Sequence, residues 1–162
     1  MILGQHHGGW VILSTFITGL LLTLLPIPDW AMPYRPEWVT LTLIYWTIAL
    51  PDRVGIGSAW VLGLLLDAAT GTVLGEHALA LSVAAYICLK LHRHLRVYPL
   101  WQQSFMVLLI VLLSQLLRLW MRDVSGQMSI EWHYWPSSIA SMLLWPWLFI
   151  VMRDLRRRFR VT

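Results

Sequence analysis

Across residues 10–152 the chain is a succession of apolar runs parted by short polar breaks. This feature restricts the fold more than any other. In lipid each backbone N–H and C=O must find its partner inside the protein, so apolar runs of this kind are read as helices. Composition supports lipid as the solvent. Apolar residues make up 58% of the chain and charged residues 12%, whereas a soluble domain carries roughly 25% charge.

The breaks divide the chain into six expected spans, at about 10–28, 37–50, 54–69, 74–91, 100–120 and 135–152, within a single transmembrane domain 1–162. The second and third are short. A span needs about 20 residues to cross ~30 Å of hydrocarbon, so short spans imply local thinning or breaks enclosed by protein. Residues 1–9 hold no Lys or Arg, and no small-x-small cleavage site follows the first run, so 10–28 is expected to be a retained helix rather than a signal peptide.

Positive charge orients the spans. With both termini cytoplasmic, the inner side holds nine cations: Arg53, Lys90, Arg93, Arg96, Arg153, Arg156, Arg157, Arg158 and Arg160. The outer side holds three: Arg35, Arg118 and Arg122. Cytoplasmic loops carry the excess of Lys and Arg, so both termini are expected inside. Trp10, Trp101, Trp145 and Trp147 then fall near the inner boundary, and Trp30, Trp38, Trp120, Trp132 and Trp135 near the outer one; Trp46 and Trp60 lie deeper and read as packing residues.

The net charge is +4, and the last ten residues, 153–162, supply all of it with five Arg and one Asp. The basicity belongs to a tail, so no folded basic face suggests a nucleic-acid partner. Arg156, Arg157, Arg158 and Arg160 suit anionic headgroups or an acidic partner at the cytoplasmic face. The one cysteine, Cys88, lies in an apolar run and can form no intrachain disulfide.

Few residues suggest chemistry. Asp67 is the one acid placed inside a span, where an unpaired carboxylate is costly. Thr70, Gly71 and Thr72 follow it with low helix propensity, and a break there would offer hydroxyl and backbone donors. Asp67, Thr70, Gly71, Glu76 and His77 therefore form a candidate polar centre, although Glu76 and His77 are better read as loop residues at the outer surface. A structural Asp67 should tolerate Asn. Gly55, Ala59 and Gly63 recur every four residues, a helix-packing seam that admits a close neighbour. Gln115 and Arg118 interrupt the fifth run; Arg118 can snorkel to headgroups or pair with Asp123 or Glu131. His92 and His94 read as part of a basic inner loop, and His6, His7 and His133 as surface residues. No metal-ligand spacing, nucleophile elbow or phosphate-binding loop occurs, so no catalytic residue, metal or cofactor is expected.

The region 35–79 resembles the MreD family of the bacterial rod-shape system. The matching pieces are Arg35-Pro36-Glu37-Trp38, Ala49-Leu50-Pro51-Asp52-Arg53-Val54, Gly63-Leu64-Leu65-Leu66-Asp67 and Gly71-Thr72-Val73-Leu74-Gly75. Trp101-Gln102-Gln103, and Leu144-Trp145-Pro146-Trp147 before an Arg-rich tail, extend the likeness over nearly the whole chain. The resemblance implies a multi-pass protein of the inner membrane acting in the cell-elongation machinery. Its implied partner is MreC, with indirect links to the filament protein MreB and to the glycosyltransferase and transpeptidase that build lateral peptidoglycan. It also implies an all-α six-helix bundle similar to the substrate-binding subunits of energy-coupling-factor transporters. The expected function is a non-catalytic scaffold. The alternative is a subunit binding a small ligand or lipid in a polar pocket near Asp67; a cavity of several hundred Å³ would favour it, and a filled core the scaffold.

Overall fold

The computed structural model describes residues 8–127 and 134–161, with the side chain of Tyr134 excepted. His6, His7, Glu131, Trp132 and His133 lie outside these residues. Six α-helices run in order: α1 (Gly9–Leu24), α2 (Trp38–Ala49), α3 (Ile56–Thr70), α4 (Glu76–Val97), α5 (Leu100–Val124) and α6 (Tyr134–Arg158). A 3₁₀ turn, Asp29–Tyr34, joins α1 to α2. The described residues contain no strand.

Prolines and glycines set the breaks. Leu25, before Pro26, leaves the helical region at φ −58°, ψ 129°, because a following proline disfavours αR. Leu50 does the same before Pro51, and Tyr98 before Pro99. Gly71 ends α3 at φ 71°, a left-handed cap that a side chain would strain. Pro146 sits inside α6, where it offers no N–H to the preceding turn.

α2 is the axis of the bundle. Every residue from Val39 to Ala49 is buried, the pattern of a helix apolar on all sides. It packs against α4, α1 and α6, and α3 and α4 make the most extensive helix pair. Trp46, fully buried, donates from Nε1 to Thr15 Oγ1 of α1 at 2.8 Å. Tyr45 meets the Phe149 ring edge-on at 5.6 Å. Trp145, also fully buried, donates to Gln103 Oε1 at 3.3 Å, and Gln103 donates to the Leu95 carbonyl at the end of α4.

Several helix limits differ from the sequence reading. α4 continues through Lys90–Arg96, the stretch read as a basic inner loop, so His92 and His94 are helical. α1 stops short of Pro26, since Leu25 cannot stay helical before it. The basic tail is helical as far as Arg158, and Val161 folds back, 2% exposed, onto Gly8 at the start of α1. Trp60 is 52% exposed and so is no core residue; its neighbour Ala59 faces the core instead.

Two helices, α5 and α6, are long and apolar enough to cross a bilayer, whereas α1 and α3 are apolar but shorter. The outer faces of α1, α3 and α5 expose Leu13, Leu21, Val61, Leu65, Phe105 and Leu116. Apolar residues turned outward over whole helices are what lipid as solvent requires.

Candidate functional site

Asp67 lies in the last turn of α3, 1% exposed. Its carboxylate faces the start of α4, where Gly75 occupies the cap position at φ 102° and brings no side chain to the helix end. The first amides of a helix have no intrahelical acceptor. Asp67 supplies one from the neighbouring helix. Oδ2 accepts from the Gly75 amide at 2.9 Å and the Ala78 amide at 3.4 Å. Oδ1 accepts from the His77 amide at 2.9 Å and the Thr72 hydroxyl at 2.9 Å. A carboxylate at a helix N-terminus also meets the positive end of the helix dipole. Asp67 thus caps α4 from outside it.

Of the three residues expected to offer donors after α3, only Thr72 reaches the carboxylate. Thr70 turns its hydroxyl back to the Leu66 carbonyl, and the Gly71 amide bonds the Asp67 backbone carbonyl. Neither reaches the carboxylate. Thr72 does, together with the amides of Gly75, His77 and Ala78, because the chain reverses within five residues.

His77 extends the centre. Its Nδ1 lies 2.7 Å from Asp67 Oδ1, and its Nε2 lies 3.1 Å from Arg118 Nη1 on α5. Arginine only donates, so Nε2 accepts and Nδ1 carries the proton to Asp67. The imidazole is neutral in this arrangement. An acid–imidazole pair of this kind orients a base in hydrolases, yet here Nε2 faces a guanidinium and no hydroxyl.

Arg118 is 7% exposed and pairs with Glu37 through Nη2 and Oε1 at 2.5 Å. Burial replaces the expected snorkelling, because a buried guanidinium needs a counter-charge in reach; Glu37 was not among the expected partners, Asp123 and Glu131, the second of which lies outside the described residues. Glu37 precedes α2 and also accepts from the Thr40 hydroxyl at 3.1 Å, while its amide donates to Ser141 Oγ at 3.0 Å. Ser138 donates to Gln115 Oε1 at 2.6 Å, and Gln115 approaches Glu37 at 3.5 Å. Beside this chain of contacts, Arg122 donates to Glu76 Oε1 at 2.8 Å.

Glu76 and His77 are therefore not surface loop residues. They open α4 and are 1% and 8% exposed. His77 belongs to a network spanning α2 to α6 that Glu37, Gln115, Arg118, Ser138 and Ser141 complete, and Glu76 pairs with Arg122 beside it. Glu37 was missed as a site residue because its place before an apolar run reads equally well as a helix start. Arg118 carried the better signal, a cation within an otherwise apolar run.

A cavity of about 450 Å³ opens beside the network, beneath the 3₁₀ turn. Arg35, Glu37, His77 and Arg118 line it, together with Asp29 and Trp38. Asp67 and Glu76 do not, so the pocket expected near Asp67 is displaced toward α2. Among the described residues no group of three His, Cys, Asp or Glu side chains could hold a metal ion.

The seam has a tight point at Gly63. A Cβ there would lie 2.3 Å from Ala78 Cα. Ala59 is fully buried, whereas Gly55 lies at the helix cap with Leu89 Cδ1 no nearer than 3.9 Å. The partner of the seam is α4 of the same chain. Of the basic tail, Arg156 and Arg157 lie in the last turn of α6, Arg158 ends it, and Arg160 has a left-handed φ of 48°.

An all-helical fold with apolar outer faces and a charge network closed among its helices defines a membrane protein held together by buried polar contacts. A family profile for the rod shape-determining protein MreD matches residues 5–155. The rod shape-determining protein MreD of Haemophilus influenzae is 38% identical over 152 residues, covering 94% of each chain. The chain belongs to the MreD family, and its role lies in bacterial cell shape. No solved structure matches it, so likeness to energy-coupling-factor subunits rests on the family resemblance alone.

Proposed function

We propose that this chain is a non-catalytic, multi-pass scaffold of the inner membrane that binds MreC and supports lateral peptidoglycan synthesis. MreB and the elongation glycosyltransferase and transpeptidase are reached indirectly in this reading. The carrying observation is that the network polar groups bond one another, leaving apolar helix faces outside. Such a body offers packing surface, not a reacting group. The contact of Val161 with Gly8 supports both chain ends lying on one side of the membrane, as six crossings require. The nine-to-three cation count then favours the cytoplasm. Exposed Trp10, Trp101 and Trp147 at that end, and Trp30, Trp120 and Trp135 at the other, suit the two interfaces. The test is co-purification of MreC from membranes with this chain, alongside rescue of rod shape in cells lacking it. Rescue without MreC recovery would overturn the partner reading.

A second reading has its own observation. The cavity under the 3₁₀ turn has the size of a small-molecule site. Trp38→Ala in its lining should then lower recovery of a co-purifying small molecule without affecting folding; a variant and parent that both carry none would remove this reading.

A further inference from the structure

A second recess, of about 710 Å³, lies at the opposite end of the bundle, where α2 stops at Pro51 while α4 continues to Val97. Its charged lining is Arg53, Arg93 and Arg96 against one acid, Asp52, with His92 beside them. The C-terminal end of α2, which would repel an anion, is already satisfied. Arg96 donates from Nε to the Ile48 carbonyl at 2.7 Å and from Nη2 to the Ala49 carbonyl at 2.9 Å. The Leu50 carbonyl accepts from the Arg53 and Val54 amides. With Arg96 held by α2, the exposed Arg93 is the cation that the recess presents.

An apolar stripe on α4 meets its edge at Arg93. Leu79, Val83, Tyr86, Lys90 and Arg93 follow one another at steps of four and three along α4, so they share one face. Leu79 is 39% exposed and Tyr86 47%. Lys90 Nζ sits 5.0 Å over the Tyr86 ring, at the point where the stripe turns from apolar to basic. A hydrocarbon track ending in a cationic hollow is complementary to a molecule with an acyl chain and an anionic head.

We propose that this recess binds the phosphate headgroup of an anionic phospholipid, whose acyl chain lies along the Leu79–Tyr86 face of α4. Arginines bond phosphate oxygens through paired N–H groups, and basic hollows between membrane helices take such headgroups. The site is separate from the Asp67 network and from the arginine tail, and does not depend on the MreC reading.

The test uses the full chain in a neutral detergent, with bound lipid counted by native mass spectrometry after addition of phosphatidylglycerol or phosphatidylcholine. The parent should retain phosphatidylglycerol preferentially. Arg93→Gln should weaken that retention about fivefold, as loss of one headgroup-facing charge implies, and Arg93→Lys should restore most of it. Replacing Arg156, Arg157, Arg158 and Arg160 with Gln should leave the Arg93-dependent part intact. Unchanged retention in Arg93→Gln would overturn the proposal. So would competition by inorganic phosphate as effective as by the lipid, which would assign the hollow to a free anion.

Discussion

Asp67 shows why the two oxygens of a carboxylate differ in use from an amide. Both accept: three donors converge on Oδ1 and two on Oδ2. Asn keeps one acceptor and turns an NH₂ toward donors, so the sequence-based expectation that Asp67→Asn is tolerated is revised. Asp67→Asn should lose about 1–3 kcal/mol, and Asp67→Leu more, since an unpaired buried donor costs about that much each. Thermal unfolding in detergent, read by near-UV circular dichroism, orders the three proteins. Equal midpoints for parent and Asn would mean that the α4 amides do not depend on the charge.

Glu37 and Arg118 permit a sharper test at the same scale. Removing one member of a buried pair leaves the other charge uncompensated, at a cost of about 3–5 kcal/mol. Glu37→Gln and Arg118→Gln should each destabilise strongly, and the double variant should be milder than the sum of the two. A double-mutant cycle on urea or thermal midpoints measures the difference. Simple additivity would show that the two side chains act independently.

Among elements, the α3–α4 pair carries the clearest contrast. Ala for Gly inside a helix is intrinsically favourable by about 1 kcal/mol. At Gly63 the new Cβ would lie 2.3 Å from backbone of Ala78, which cannot swing aside. Overpacking costs typically 1–3 kcal/mol, so the clash outweighs the propensity gain and Gly63→Ala should lower the yield of folded protein. Gly55→Ala meets only ordinary contact and should fall within about 0.5 kcal/mol of the parent. Equal yields for both variants would contradict the close crossing at Gly63.

The helices were legible because proline and glycine punctuate the apolar runs, and the small residues at Ala59 and Gly63 marked the α3 face that meets α4. Lys90–Arg96 misled because charge suggested a loop, whereas its helix outlasts α2 and carries those cations past the end of the core. The centre was legible only in part. Asp67 stood out as an acid in an apolar run, but Glu37 and Arg118 are 81 residues apart in sequence. No local spacing relates residues joined by tertiary packing.

For the whole molecule, the juxtaposition of Gly8 and Val161 makes topology a question of sides. Reporter fusions at both ends should give the cytoplasmic signal together. A periplasmic signal from the C-terminal fusion would invert the bundle, and discordant signals would break the crossing count.

The enclosure of α2 has a consequence for biogenesis. At 12 residues, about 18 Å long, and with an acid at its head, this segment is a poor candidate to rest alone in hydrocarbon. Apart from α1, its shelter comes from helices made later. While the chain emerges, Glu37 precedes its guanidinium by half the protein, 81 residues, and Asp67 precedes the amides it caps by only 8 to 11. The α3–α4 hairpin can therefore form early on its own polar contacts, whereas α2 waits on α5. Chains truncated before Arg118 should be held by the insertion machinery or degraded, and those ending soon after it should begin to survive.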